Sequence, residues 1–230
     1  MRALVLSSGG VDSTTCLALA VNEMGADHVA TVSFRYGQRH ARELDAAQAV
    51  ADHYGVKHRV LDLTEFLCES DSALLAGSAR PVAVGSSAEQ IEQNPIAPVA
   101  TYVPFRNGLM ISAAAALAMS LAPDEDTCLY LGAHADDAAG DAYPDCSPAF
   151  TGAMGDAVRI GTYGRVVLRV PFVRMGKAEV VRTGLELGVP YELTWSCYEG
   201  GDVPCGRCAT CLDRHAAFAA NGVEDPAVRA

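Results

Sequence analysis

The chain has no Lys/Arg-rich run, no apolar stretch long enough to span a bilayer, no internal repeat and no low-complexity block. Each absence removes a class of protein. Seventeen Lys and Arg stand against 28 Asp and Glu, a formal charge of −11, so the surface repels phosphodiester backbones over long range. No nucleic-acid partner is expected. The Ala-rich stretch from Ser112 to Ala122 is apolar but only about a dozen residues long, where a membrane-spanning helix needs roughly 18 or more. The opening Met1-Arg2-Ala3-Leu4-Val5-Leu6 turns polar at Ser7, far short of the apolar core of an export signal. No membrane partner is expected, and the reading is of a soluble, cytoplasmic protein.

Half of the 230 residues are hydrophobic and a fifth are charged, ample material for a buried core and little case for disorder. The length suggests one domain with an appendage, divided here into residues 1–195 and 196–230. Strand and helix signals alternate. Apolar runs at 2–6, 29–34, 58–63, 128–133 and 166–170 read as strands. Helical spacings cover 12–24, 41–54, 107–121, 147–159, 177–187 and about 208–220, several closed by glycine. This alternation predicts an α/β fold with a mainly parallel sheet and right-handed crossovers. Residues 64–104 show no sustained period, too long for an uncommitted loop, and are read as a lid or substrate-contacting segment reaching to about 107.

Between the first strand and first helix lies Ser7-Ser8-Gly9-Gly10-Val11-Asp12-Ser13-Thr14. Paired glycines let the backbone approach a ligand, Ser13 and Thr14 supply hydroxyls, and the helix start offers unpaired N–H groups, so this is an anion cradle. It lacks the Lys of Gly-x-x-x-x-Gly-Lys-Ser/Thr and the spacing of Gly-x-Gly-x-x-Gly, which excludes both of those loops. Ligands of open parallel sheets sit at the carboxyl ends of strands. Arg39 and His40, in the Tyr-Gly-Gln-Arg-His run that ends the second strand, are therefore candidate phosphate or adenine contacts, or simply a solvated helix start. Arg106 offers a fork suited to a carboxylate or phosphate, and Asn107 can cap a helix or bond a heterocycle. Among the acids after the fourth strand, Asp136 and Asp145 are the preferred substrate or Mg2+ contacts, and Asp137 and Asp141 are read more readily as turn formers. Lys177 opens a helix whose dipole disfavours it, so either a bound phosphate or plain solvation accounts for its position.

Four of the eight cysteines, Cys197, Cys205, Cys208 and Cys211, form Cys-x7-Cys-x2-Cys-x2-Cys. In a reducing compartment such clustering points to one metal ion rather than to bridges. With four protein thiolates no position stays open for water, so one structural zinc per chain is favoured. An iron–sulfur cluster is the competitor, weakened because the fourth place of that cysteine run is His215.

Ser-Gly-Gly-x-Asp-Ser resembles the signature of the pyrophosphate-loop ATPases, the adenine-nucleotide alpha-hydrolase-like superfamily, with its Rossmann-like parallel sheet and helices on both faces. With Tyr-Gly-Gln-Arg-His, Val-Pro-x-Arg-Asn, Tyr-Pro-Asp-Cys and the four cysteines in one order, the chain from Ser7 to Cys211 resembles the 7-cyano-7-deazaguanine synthase family. Phe105 departs from it, where the family's commoner form has Gly. The resemblance implies a carboxylate turned into a nitrile: ATP adenylates 7-carboxy-7-deazaguanine, ammonia displaces AMP, and a second ATP activates the amide. It implies Mg2+ held by Asp12, and ATP bound by Ser7, Ser8, Gly9, Gly10, Val11, Asp12, Ser13, Thr14, Thr15, Cys16 and Leu17. Asp12, Ser13, Arg106 and Lys177 become the candidate catalytic residues. No length is left for a glutaminase domain, so free ammonia is the expected nitrogen source. Two other readings are carried: adenylation of another acceptor, in tRNA thiolation or amide synthesis, and a zinc-containing nucleotide-binding module without turnover. A homodimer stays open, since the apolar helix 107–121 can face the sheet or a second subunit.

Overall fold

The computed structural model describes residues 1–93 and 98–228. Strand β1 (Arg2–Leu6) is followed by α1 (Val11–Met24), β2 (Val29–Arg35), α2 (Arg42–Tyr54), β3 (Lys57–Asp62) and the short helices α3 (Thr64–Leu67) and α4 (Ser87–Gln93). Then come α5 (Arg106–Leu121), β4 (Thr127–Tyr130), α6 (Pro148–Gly161), β5 (Val166–Arg169), α7 (Lys177–Glu186) and α8 (Ala209–Ala220). The five strands form one sheet in the order β3-β2-β1-β4-β5, all parallel, as the alternation predicts. At its centre Val5 lies beside Thr31 of β2 and Tyr130 of β4.

The period of two along β1 distributes the core. Leu4 and Leu6 pack with Ile111, Ala114 and Ala118 of α5 and Val158 of α6 on one face. Ala3 and Val5 pack with Leu17 and Ala20 of α1, Val50 of α2 and Val180 of α7 on the other. Right-handed crossovers require this, because the chain crosses the sheet one way from β1 to β3 and the other way from β4 to β5. Ala114, Ala115 and Ala118 of α5 thus face the sheet. The order reverses beside β1, which leaves a crevice at the carboxyl ends of β1 and β4, the usual ligand position of such sheets.

Two expectations need correction. The ladder of β4 stops at Tyr130, short of residue 133, and Gly132 then passes the Asp12 backbone so closely that a Cβ would lie 2.9 Å from its carbonyl. The segment 64–104 contains two helices: α3 is too short to show a period, and α4 carries no buried residue to create one. Residues 94–97 of that segment lie outside the described residues. Its remainder crosses the carboxyl end of the sheet. Arg39 N–H donates to Leu74 O at 3.0 Å, Val84 bridges Cys208, and Ser87 Oγ donates to Asp213 at 2.7 Å. Among the described residues no helix is long and apolar enough to cross a membrane.

Candidate active site

The crevice holds a cavity of about 230 Å³. Its floor is the loop after β1. Gly9 has φ +76°, and a Cβ there would collide with the Glu43 carbonyl oxygen and lie 2.6 Å from the Ala47 nitrogen, so only glycine lets α2 close on the loop. The Ser8 and Ser13 hydroxyls lie 3.1 Å apart, and Ser8 N–H donates to Ser13 Oγ at 3.1 Å. No side chain caps α1, whose first N–H groups are left to a ligand. Ser7, Ser8, Gly10, Asp12 and Ser13 all line the cavity.

Asp12, in the first turn of α1, meets Lys177 of α7 and His134 of the segment after β4. Its Oδ2 accepts from Lys177 Nζ at 2.7 Å and lies 3.7 Å from His134 Nε2, which is itself 3.4 Å from Asp137 Oδ1. Among the described residues, Oδ1 is buried with no hydrogen-bond partner. Burial pushes the Asp12 carboxyl up, but the Lys177 ammonium and His134 outweigh it and hold it below the ordinary carboxylate range. Burial likewise presses on Lys177, and Asp12 more than restores its charge, raising it above the usual lysine value. Asp137 is driven up by burial.

Across the cavity Arg106, at the start of α5, donates to Tyr36 Oη at 3.3 Å and stacks its guanidinium 5.3 Å from that ring. Burial opposes its charge, but Tyr36, Tyr198, Glu43 and Asp145 together stabilise the cation. Asn107 lines the cavity too, and its N–H and amide are held by Asp145 at 2.9 and 3.3 Å. Phe105 takes φ +54°, a left-handed conformation at ease for glycine, and its ring folds onto Gly108 and against Phe150 at 5.6 Å, outside the cavity lining.

The sequence candidates therefore separate into groups. Asp12, Ser13, Arg106, Asn107 and Lys177 share the cavity. Val11, Cys16 and Leu17 point into the core, Thr14 is buried with an unpartnered hydroxyl, and Thr15 bonds Tyr191 Oη at 2.8 Å. Arg39 donates to the carbonyls of Ser78 and Arg80, and His40 packs on Gly200, both away from the cavity lining. Asp136 accepts from Lys177 N–H at 2.7 Å and Asp145 from Asn107 N–H, so each anchors a helix start. Sequence reasoning passed over Tyr36, Glu43, Trp195 and Tyr198, which line the cavity as well. Tyr36 stood inside a quoted motif; Glu43 had no pattern to mark it.

Trp195 leads into the cysteines. The sulfurs of Cys197, Cys205, Cys208 and Cys211 all lie within 4.8 Å of one another and can hold a metal ion such as zinc. The N–H groups of Cys205 and Cys208 point at the sulfurs of Cys197 and Cys205 at 3.3 and 3.4 Å, donors that suit charged thiolates. His215, set beside a second cavity, is not among them.

An anion loop at the switch point of a parallel sheet, opening onto a cavity, is the arrangement by which α/β proteins hold phosphorylated small molecules. Comparison with known sequences narrows that class. The chain belongs to the family described as queuosine biosynthesis protein QueC, which it matches over residues 2–222. It is similar to the 7-cyano-7-deazaguanine synthase of Archaeoglobus fulgidus, 40% identical over 227 residues, covering 98% of this chain and 89% of that protein. The enzymes of that name from Thermoplasma acidophilum and Caldicellulosiruptor saccharolyticus are 40% and 39% identical, over 98% of this chain and 90% and 94% of their own.

Proposed function

We propose that this chain converts 7-carboxy-7-deazaguanine and ammonia to 7-cyano-7-deazaguanine, consuming two ATP as two AMP and two pyrophosphates. A carboxylate is a poor electrophile, so its oxygen must first become a leaving group. The acid oxygen attacks the innermost phosphorus of ATP and pyrophosphate departs. Ammonia displaces AMP to give the amide, whose oxygen is adenylated in turn, and expulsion of the second AMP leaves the nitrile. The Ser8–Ser13 loop and the free amides of α1 bind the departing pyrophosphate, Lys177 stabilises charge developing there, and Arg106 grips the carboxylate. One observation carries this reading: Asp12 spends Oδ2 on Lys177 and, among the described residues, keeps Oδ1 buried and unpartnered, in the cavity that also presents Arg106. That orphaned oxygen fits Mg2+, which when bound neutralises pyrophosphate charge. The four thiolates fit a structural zinc.

The test is mass spectrometry of products from the acid, ATP, Mg2+ and ammonium. Amide should appear before nitrile, with AMP and pyrophosphate formed in step. Formation of ADP and orthophosphate alone overturns the mechanism, and AMP formed only with another acid or a tRNA replaces the acceptor.

A further inference from the structure

The proposed reaction strips ammonia of all three of its protons, and a base beside the nitrogen must take each one as its N–H bond breaks. Three carboxylates line the cavity: Asp12, Glu43 and Asp137. Asp12 is bound to Lys177, and Asp137 stands 3.4 Å from His134. Glu43 differs: among the described residues its carboxylate has no hydrogen bond and no ion pair within 4 Å, although Arg106 lies near enough for its charge to be felt. Its position is fixed from behind. Glu43 sits in the first turn of α2, its own carbonyl is packed against Gly9 of the phosphate loop, and it lines the cavity together with Arg106.

From this we infer that Glu43 is the proton acceptor for the nitrogen steps, an assignment that rests on the function proposed above. When ammonia attacks the acyl adenylate, its lone pair forms the C–N bond, the C–O bond to AMP breaks, and one N–H proton passes to Glu43. When the amide oxygen takes the second adenylyl group, a second N–H proton leaves as C=N forms. In the last step the remaining N–H pair becomes the third C–N bond, AMP leaves with the C–O pair, and the proton is again accepted by the carboxylate, which returns each proton to water. Burial raises the Glu43 carboxyl against the pull of Arg106, which makes it a better base than an exposed glutamate. Asp12, Asp137, Lys177, Arg106, Tyr36, Tyr143, Tyr198 and Cys146 are the other titratable groups around the same cavity.

The first half-reaction separates this role from the others, since adenylation of a carboxylate moves no proton. Wild-type protein is assayed first for AMP formation with the acid; its failure there would count against the function and not against Glu43. Glu43→Gln should then keep acid-dependent exchange of pyrophosphate into ATP within about threefold while its kcat from synthetic amide to nitrile falls about 100-fold or more. The acidic limb of the wild-type kcat profile, where a protonated Glu43 cannot accept, should be missing from the residual activity. Unchanged nitrile formation, equal loss of exchange, or a higher KM at constant kcat would each overturn the assignment, the last by making Glu43 a contact for the base. Should Glu43→Gln fail to fold, Glu43→Asp is judged by the same ratio of exchange to nitrile formation.

Discussion

Substituting Asp225 by Ala should cost far more stability than its place near the carboxyl end suggests. Arg214 of α8 and Asp225 are 3% and 5% exposed, and Arg214 Nε donates to both carboxylate oxygens at 3.0 and 2.8 Å. The guanidinium also donates to Thr194 Oγ1 at 2.8 Å, Ser196 Oγ at 3.4 Å and Tyr191 O at 3.1 Å, and it lies 5.4 Å over the Phe218 ring. Removing Asp225 leaves a buried cation without its counter-charge, a loss of about 3 to 5 kcal/mol. For a chain of 230 residues, at about 2 to 4 °C per kcal/mol, Tm should fall by roughly 6 to 20 °C. Calorimetry and urea titration on metal-loaded protein measure this. Because desolvation offsets most of what the pair gains, the double variant Arg214→Met with Asp225→Leu should recover much of the loss. A single-variant cost under about 1 kcal/mol, or a double variant no better than the single, would refute the claim that the unpaired charge dominates.

Two further outcomes follow from the same geometry. Cys205→Ser should lower metal content and Tm together, because binding free energy at a four-thiolate site is also folding free energy; a metal-loaded variant of wild-type stability would contradict the site. Lys177→Met should destabilise the protein by about 3 kcal/mol at neutral pH, as Asp12 loses its partner. The sign is worked from the two shifts. The folded Asp12 carboxyl is held low, so its contribution is present above the unfolded value of about 4 and lost as pH falls through the folded one. Lys177 is held high, so its share is present below the unfolded value of about 10.4 and lost as pH rises through the folded one. The gap in Tm between variant and wild type should therefore narrow as pH falls below the ordinary carboxylate range and as it rises above the ordinary lysine range, and a gap independent of pH would remove the ion pair from the account.

The parallel sheet was legible because every βα unit carries its own punctuation: apolar runs that become β1 and β2, and Gly25 and Gly55 closing α1 and α2. The loop and the cysteines were legible for a related reason, since each packs its chemistry into a few consecutive residues. What stayed hidden depends on contacts distant in sequence. Asp136 and Asp145 read alike as candidate ligands, yet their carboxylates go to the N–H groups of Lys177 and Asn107, 41 and 38 residues away. Asp137 reads as a turn former and instead faces His134 inside the cavity. No local pattern separates these three aspartates; the packing of α5 and α7 against the sheet does.

The cysteine loop and the cavity are one construction. Trp195, Ser196 and Tyr198 line the cavity, though residues 194–198 have no strand or helix to hold them. A wall without a hydrogen-bond ladder must take its rigidity from cross-links. Trp195 N–H donates to Gly9 O at 2.9 Å, its indole to Cys197 O at 2.8 Å, and Thr210 Oγ1 to Ser196 O at 2.6 Å, while Arg214 reaches Thr194 and Ser196 from α8. Cys197 then joins this wall to Cys208 and Cys211, at the start of α8. A metal ion held by those sulfurs would fix the backbone beside the Ser8–Ser13 loop, and with four thiolates filling its coordination it would act on the shape of the cavity.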